Sequence, residues 1–238
     1  MSSKIVVTGT SAGIGLAVAR RLLENSHEVI GISRRTSDEL NQHFANRFTQ
    51  EIIDLSEPVA VQERFPILVK RHADVNAIVF CAGYGRFGSL EEFSYDQIAR
   101  MVNTNLLSTM YLARAFLPQM KRKLSGKLIF IGSESVLSGG RRGAVYTATK
   151  SALDGFVKSL RRECSSDGIH AGIVTLGMVK TEFYEQAQFT HGESGDNFIL
   201  PEDVAEAVAM MLESRPGTVI DEVRITPLKS VITRRRTD

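Results

Sequence analysis

The sequence predicts an α/β fold: a doubly wound parallel sheet with helices on both faces, forming one domain over residues 1–238. Three observations carry this. Short β-branched apolar runs recur along the chain, helix-like segments alternate with them, and start and stop residues punctuate those segments where helices need them. Seven runs read as strands: 5–8, 29–33, 52–54, 77–81, 128–131, 171–176 and 219–225.

Taken in order, the first strand leads into Thr8-Gly9-Thr10-Ser11-Ala12-Gly13-Ile14-Gly15, and an amphipathic helix follows over 16–23. The uncharged stretch 5–19 has the length of a signal peptide. Its glycines and hydroxyl residues interrupt the apolar run, however, and Arg20 and Arg21 stand where a small-residue cleavage site belongs. Ser56 with Pro58 opens a helix, Ser94 caps a long one through Lys123, and Pro201 with Glu202 and Asp203 opens another. Gly126 and Gly168 fall where helices stop and strands begin. The exception to the alternation is 181–200, where Phe183, Tyr184, Phe189 and Phe198 sit among polar residues and glycines. A connection this long without periodicity is expected to be a substrate lid or a surface excursion. Residues 228–238 read as a solvated tail carrying Arg234, Arg235 and Arg236.

Composition excludes several classes. A chain of 238 residues with 43% hydrophobic and 24% charged residues buries one sizeable core, and a formal charge of +2 does not indicate a nucleic-acid partner. Two cysteines, Cys81 and Cys164, make neither a disulfide framework nor a metal cluster, which suits a reducing cytoplasm. No run approaches the ~18 apolar residues that a membrane span needs.

Three patterns point to chemistry. The glycine turn lies between a strand and a helix, where Gly9, Gly13 and Gly15 let the backbone approach a pyrophosphate. The amides near Thr10, Ser11 and Ile14 and the positive end of the helix stabilise its charge. The second strand ends in Ser33-Arg34-Arg35 with no carboxylate, which favours the 2′-phosphate of NADP(H) over the bare ribose of NAD; the bland reading is two surface arginines. Asp54, beside Leu55, is either a partner for the adenine ring or a helix-leading aspartate. Finally, Tyr146 and Lys150 share a helix face at i, i+4 spacing. A cation about 4 Å from the phenol at a dielectric of about 20 is worth roughly 4 kcal/mol, enough to lower its pKa by as much as about 3 units.

Together these motifs resemble the short-chain dehydrogenase/reductase family, from Val6 to about Pro227. Thr8 to Gly15 matches the family's TGxxxGxG, and Tyr146 with Lys150 matches YxxxK. Ser133 lies thirteen residues before the tyrosine, where the family places its serine. Asn105 matches the helix asparagine of the tetrad, with Asn103 as the competing choice; Ser135 competes likewise with Ser133. Two departures stand out: Cys81-Ala82-Gly83 replaces Asn-Ala-Gly, which puts the rigidity of that loop in question, and Leu176-Gly177 replaces Pro-Gly.

The resemblance implies a Rossmann-type sheet and hydride transfer between NADP(H) and a carbonyl or secondary alcohol. Tyr146 would be the general acid, Ser133 the holder of the carbonyl oxygen, Lys150 the cation beside the phenol, and Asn105 the anchor of a relay water. It also implies cofactor contacts at Cys81, Ala82, Gly83, Asn105, Tyr146, Lys150, Gly177, Val179 and Thr181, with Lys150 on the nicotinamide ribose. The loops expected around the substrate hold Tyr84, Arg86 and Phe87, the stretch from Ser135 through Arg141 and Arg142, and Phe183 of the aromatic lid. Their arginines either bind an anionic group, as on an oxo or hydroxy acid, or are solvated. Family members pair their long helices, so a homodimer or homotetramer is expected through surfaces rich in Leu106, Met110, Leu112, Leu153, Phe156 and Leu160. Two alternatives remain at this point: NAD-dependent alcohol oxidation, and a non-catalytic NADP-binding redox sensor.

Overall fold

The computed structural model describes residues 2–234. Nine strands are present among them: β1 (Lys4–Thr8), β2 (Glu28–Ser33), β3 (Phe48–Ile52), β4 (Ala77–Phe80), β5 (Gly126–Ile131), β6 (Ile169–Leu176), β7 (Phe189–His191), β8 (Glu222–Ile225) and β9 (Ile232–Arg234). All except β7 and β9 form one parallel sheet in the order β3-β2-β1-β4-β5-β6-β8. The helices are α1 (Gly13–Glu24), α2 (Asp38–His43), α3 (Pro58–Arg71), α4 (Tyr95–Val102), α5 (Ser108–Lys123), α6 (Ser135–Ser138), α7 (Ala144–Cys164) and α8 (Pro201–Glu213).

The period-two pattern of a strand explains the layers. On β1, Ile5 and Val7 bury among residues of α1 and α8, whereas Val6 buries among residues of α3, α5 and α7. Each such side chain contributes about 1.5–3 kcal/mol on full burial. Between β4 and β5, Phe80 stacks on Phe130 with ring centroids 4.4 Å apart. Because β1 has β2 on one side and β4 on the other, the strand order reverses there, and a crevice opens beyond the carboxyl ends of β1 and β4.

Several expected boundaries move. The third strand runs over 48–52 rather than 52–54, because as an edge strand it is mostly polar and buries only Phe48 and Glu51. Glu51 is tolerated because Arg71, Arg64 and His72 surround it. The last parallel strand is shorter than 219–225, pairing with β6 only from Glu222. Leu124, at φ 50°, caps α5 instead of Gly126, and the side chain of Met120 fills the space a Cβ on Gly126 would need. The long helix begins with the Ser94–Gln97 capping box, but a π turn over Asn103–Leu107 separates α4 from α5.

The segment 181–200 is more ordered than a structureless lid. It holds short 3₁₀ turns at Glu182–Tyr184 and Gly195–Asn197, and its β7 pairs antiparallel with β9. Part of the expected tail is therefore a strand through Arg234; Arg235 and Arg236 lie outside the described residues.

Candidate active site

The crevice holds a groove of about 550 Å³, bordered by the glycine turn, the ends of β2 and β3, the loop after β4 and the residues after β6. The turn is shaped for close approach. Gly9 and Gly13 take φ of +80° and +56°, and a Cβ on Gly15 would stand 2.3 Å from the Gly9 carbonyl oxygen. Helix α1 starts at Gly13 with no side-chain cap on its first amides, so its positive end faces the groove. Among the residues expected here, Gly9, Ser11, Gly13, Ile14 and Gly15 border the groove, as do Asp54, Leu55, Cys81, Ala82, Gly83, Gly177, Val179 and Thr181.

Thr10 does not. Its side chain is fully buried behind the turn against Gly31, and its carbonyl accepts from Ser37 Oγ at 2.9 Å. Ser33 borders the groove, but its hydroxyl is spent internally, donating to Arg35 O at 2.6 Å and accepting from Gln50 Nε2 at 3.0 Å. Arg34 and Arg35 are exposed at the groove edge. Asp54 combines both of its expected readings: it lines the groove, and its Oδ1 accepts from Ser56 N and Oγ just before α3. Burial would raise its carboxyl, but these hydrogen bonds and the charges of Arg34 and Arg100 hold it below the usual range. Arg100 and Thr104, on the groove wall, carried no recognisable signal in the sequence.

At the inner end stand Ser133, Tyr146 and Lys150. Ser133 ends the run after β5 and bonds the Tyr146 phenol; its Oγ also accepts from Ser135 N at 3.2 Å. Lys150 Nζ donates to Ile131 O at 2.8 Å and lies 6.0 Å from the Tyr146 ring centroid. The expected lowering of the phenol does not occur. Burial pushes Tyr146 up to about 12, with only the Ser133 hydrogen bond opposing it. Burial also brings Lys150 down to about 8, against a small opposing effect of Cys81, whose thiol is itself pushed up to about 12. Desolvation outweighs pairing because the lysine is tied to a backbone carbonyl rather than to the phenol.

Asn105, not Asn103, reaches this site. The π turn buries it, and its Nδ2 donates to Tyr84 O at 2.9 Å and to Thr149 Oγ1 at 3.2 Å, while Oδ1 accepts from Tyr84 N at 3.0 Å. Thr149 in turn donates to Tyr146 O at 2.7 Å. Asn103 instead donates to Ser56 O. The two Asn105 donors are thus occupied by protein. The loop after β4 is braced despite Cys81, because Ala82 N donates to Thr8 Oγ1 at 2.9 Å and Tyr84 is held by Asn105.

Beyond Tyr146 opens a second cavity of about 940 Å³, which shares Ser133, Tyr146, Leu176, Gly177 and Tyr184 with the groove. Aromatic rings from distant segments surround the tyrosine: Phe87 at 5.5 Å and Phe183 at 5.6 Å, with Phe189 at 4.9 Å from Phe87. Of the expected substrate residues, Ser135, Arg141 and Arg142 line this cavity, whereas Tyr84 and Phe183 border the groove. Arg86 lines neither and lies over the Phe93 ring. Phe87, expected in the loop after β4, lines this cavity; Glu134, Gln188, Ile232 and Arg234 were not anticipated, since nothing local marks them as neighbours.

No helix among the described residues is long and apolar enough to cross a membrane. A family model described as short chain dehydrogenase matches residues 3–191. An uncharacterized oxidoreductase of Staphylococcus aureus is 28% identical over 228 residues, covering 94% of this chain and 96% of that protein. An alcohol dehydrogenase from the archaeon Thermococcus sibiricus, complexed with 5-hydroxy-NADP, superposes with a TM-score of 0.82 at 27% identity, covering 94% of this chain and 96% of that one. Serine dehydrogenase from Escherichia coli does so with a TM-score of 0.80 at 25% identity, covering 93% and 96% respectively. A match that runs from the glycine turn past Tyr146 and Lys150 to the lid, on a sheet of the same architecture, means that the chain belongs to the short chain dehydrogenases, a family of oxidoreductases.

Proposed function

We propose that the protein interconverts a carbonyl and a secondary alcohol with NADP(H), using Tyr146 as general acid in the reducing direction. The observation that carries this reading is that Ser133, Tyr146 and Lys150 meet at the seam between the glycine groove and the second cavity. The glycine cradle, the free end of α1 and the exposed Arg34 and Arg35 fit a phosphorylated dinucleotide. The complex of the archaeal relative with 5-hydroxy-NADP is in keeping with this. When bound, the reduced cofactor supplies the hydride.

The chain's own residues then hold and protonate the substrate. The Ser133 hydroxyl bonds the carbonyl oxygen and fixes it against Tyr146. A phenol at about 12 stays protonated at neutral pH, so it is ready to donate to a developing alkoxide, a far stronger base. Lys150, at about 8, is predominantly charged at neutral pH and, held by Ile131 O on the groove wall, would bind the nicotinamide ribose. Asn105 acts as a positioning residue, linking the loop at Tyr84 to the helix that carries Tyr146. Self-association as a dimer or tetramer uses Leu106, Met110 and Phe156, which stay partly exposed while Leu112, Leu153 and Leu160 bury against the protomer's own sheet.

Absorbance loss of NADPH with a panel of ketones and aldehydes tests the reaction. Tyr146→Phe is expected to lower kcat by roughly 100- to 10,000-fold while NADPH affinity stays near wild type. A variant that turns over normally would overturn the assigned mechanism.

A further inference from the structure

The cavity beyond Tyr146 contains a carboxylate that reduction of a simple ketone does not require. Glu134 directly follows Ser133, and its backbone amide is fixed on Leu176 O at 2.8 Å, which sets its half-buried side chain in the cavity wall. Among the described residues no ion pair or side-chain hydrogen bond engages that carboxylate. Burial lifts its carboxyl above the usual range, and Arg224 opposes this only as a nearby charge. Tyr184 shares the corner: burial raises its phenol first, followed by the fields of Tyr146 and Glu134. Glu134, Tyr146 and Tyr184 thus line the same cavity, with Glu134 and Tyr146 close enough to Tyr184 for their charges to be felt at this corner.

The rest of the cavity has the opposite charge. Arg141, Arg142 and Arg234 line it from exposed positions, and Arg142 is steadied by Gln188 Oε1 at 2.6 Å. Two buried hydroxyls on lining residues, Ser135 Oγ and Thr147 Oγ1, have no partner. A carboxylate inside and guanidiniums at the rim make a site for a zwitterion, with its cationic end innermost.

We propose that this cavity selects a β-hydroxy-α-amino acid, or its β-oxo counterpart, with the substrate ammonium on Glu134 and the substrate carboxylate toward the arginine rim. The assignment rests on the proposed reaction only for where the reacting oxygen sits, between Ser133 and Tyr146. An ammonium on the adjacent carbon then reaches the residue that follows Ser133. A substrate lacking that group leaves Glu134 desolvated and unpaired, which disfavours it.

Two experiments decide the matter. With saturating NADP⁺, kcat/KM for threonine and allo-threonine, each in both enantiomers, is compared with that for the des-amino analogue 3-hydroxybutyrate. The amino substrates are expected to be favoured by about 10- to 100-fold, and Glu134→Gln to remove most of that preference, lowering kcat/KM for the amino substrates and raising it for 3-hydroxybutyrate, which no longer leaves a carboxylate unpaired. Equal efficiencies in the wild type, or a preference untouched by Glu134→Gln, overturn the proposal. The second experiment does not depend on turnover: in the NADP⁺-loaded Tyr146→Phe protein, calorimetry should show the amino compounds binding more tightly than hydroxybutyrate, with the difference lost on adding Glu134→Gln. Equal binding there overturns the substrate assignment even if the reaction stands. A binding difference without turnover of any alcohol or ketone by the wild type refutes the reaction while upholding the role of Glu134.

Discussion

The groove and the cavity meet at Tyr146 but are built by opposite means. The groove is made largely of backbone: a tight glycine turn, the first amides of α1 and the braced loop after β4. The cavity is made of side chains drawn from six separate stretches: Phe87, Ser133 to Arg142, Tyr146 with Thr147, Leu176 to Met178, Tyr184 to Phe189 and Ser230 to Arg234. A backbone surface fixes one ligand shape and tolerates little change. A side-chain surface can be retuned one residue at a time, which is how a common reaction comes to serve different substrates.

Gly15→Ala should break the groove most severely. The new Cβ must displace the Gly9 carbonyl, so NADPH affinity is expected to fall about 100-fold or more, with roughly 1–3 kcal/mol lost from stability. Fluorescence titration and thermal denaturation read the two effects. Gly195→Ala has open space around its Cβ and should leave both unchanged, and a strong effect there would upset the contrast.

Lys150 probes the seam between the two regions. Its folded value of about 8 lies below the ordinary 10.5, so between those values the unfolded chain binds more protons than the folded one. Stability should therefore rise with pH across that window, by up to about 3 kcal/mol, and stay flat from this source below it. The rise is read between pH 7 and 9, below the range where Cys81 and Tyr146, both raised to about 12 in the folded protein, lower stability as pH increases. Lys150→Met should abolish it in denaturant titrations, and a wild type and variant with the same pH dependence from 7 to 9 would contradict the burial argument.

The smallest expected effect concerns selectivity. Replacing Arg34 and Arg35 together with alanine should reduce the preference for NADPH over NADH by about 10- to 100-fold through the loss of charged hydrogen bonds, while kcat with saturating cofactor is retained. Because the Ser33 hydroxyl is already occupied, Ser33→Ala is expected to change selectivity much less, and the ratio of KM values for the two cofactors measures both.

The same division explains what was legible beforehand. The glycine turn and the pair Tyr146 and Lys150 are local patterns, readable because a strand-to-helix turn and a helix face each lie within a few residues. Ser133 and Asn105 were readable through family spacing, but not the π turn that buries Asn105, since that turn depends on packing against α7. The edge strand β3 was misplaced because its alternation includes a buried glutamate whose partners lie on and just after α3. The pairing of β7 with β9 joins two three-residue strands some forty positions apart, too short for either to show periodicity. The depressed phenol expected of Tyr146 failed for a similar reason: neighbour spacing was visible in the sequence, but the extent of burial was not.

The π turn at Asn103–Leu107 also bears on chain length. A wide turn of this kind accommodates an extra residue, which shifts everything after it by about 100° around the helix axis relative to an unbroken α-helix. Deleting one residue there would let the turn close into regular α-helix and swing Asn105 away from Thr149 and Tyr84, whatever the side chains. Along this stretch, a change in length should do more damage than most changes in identity.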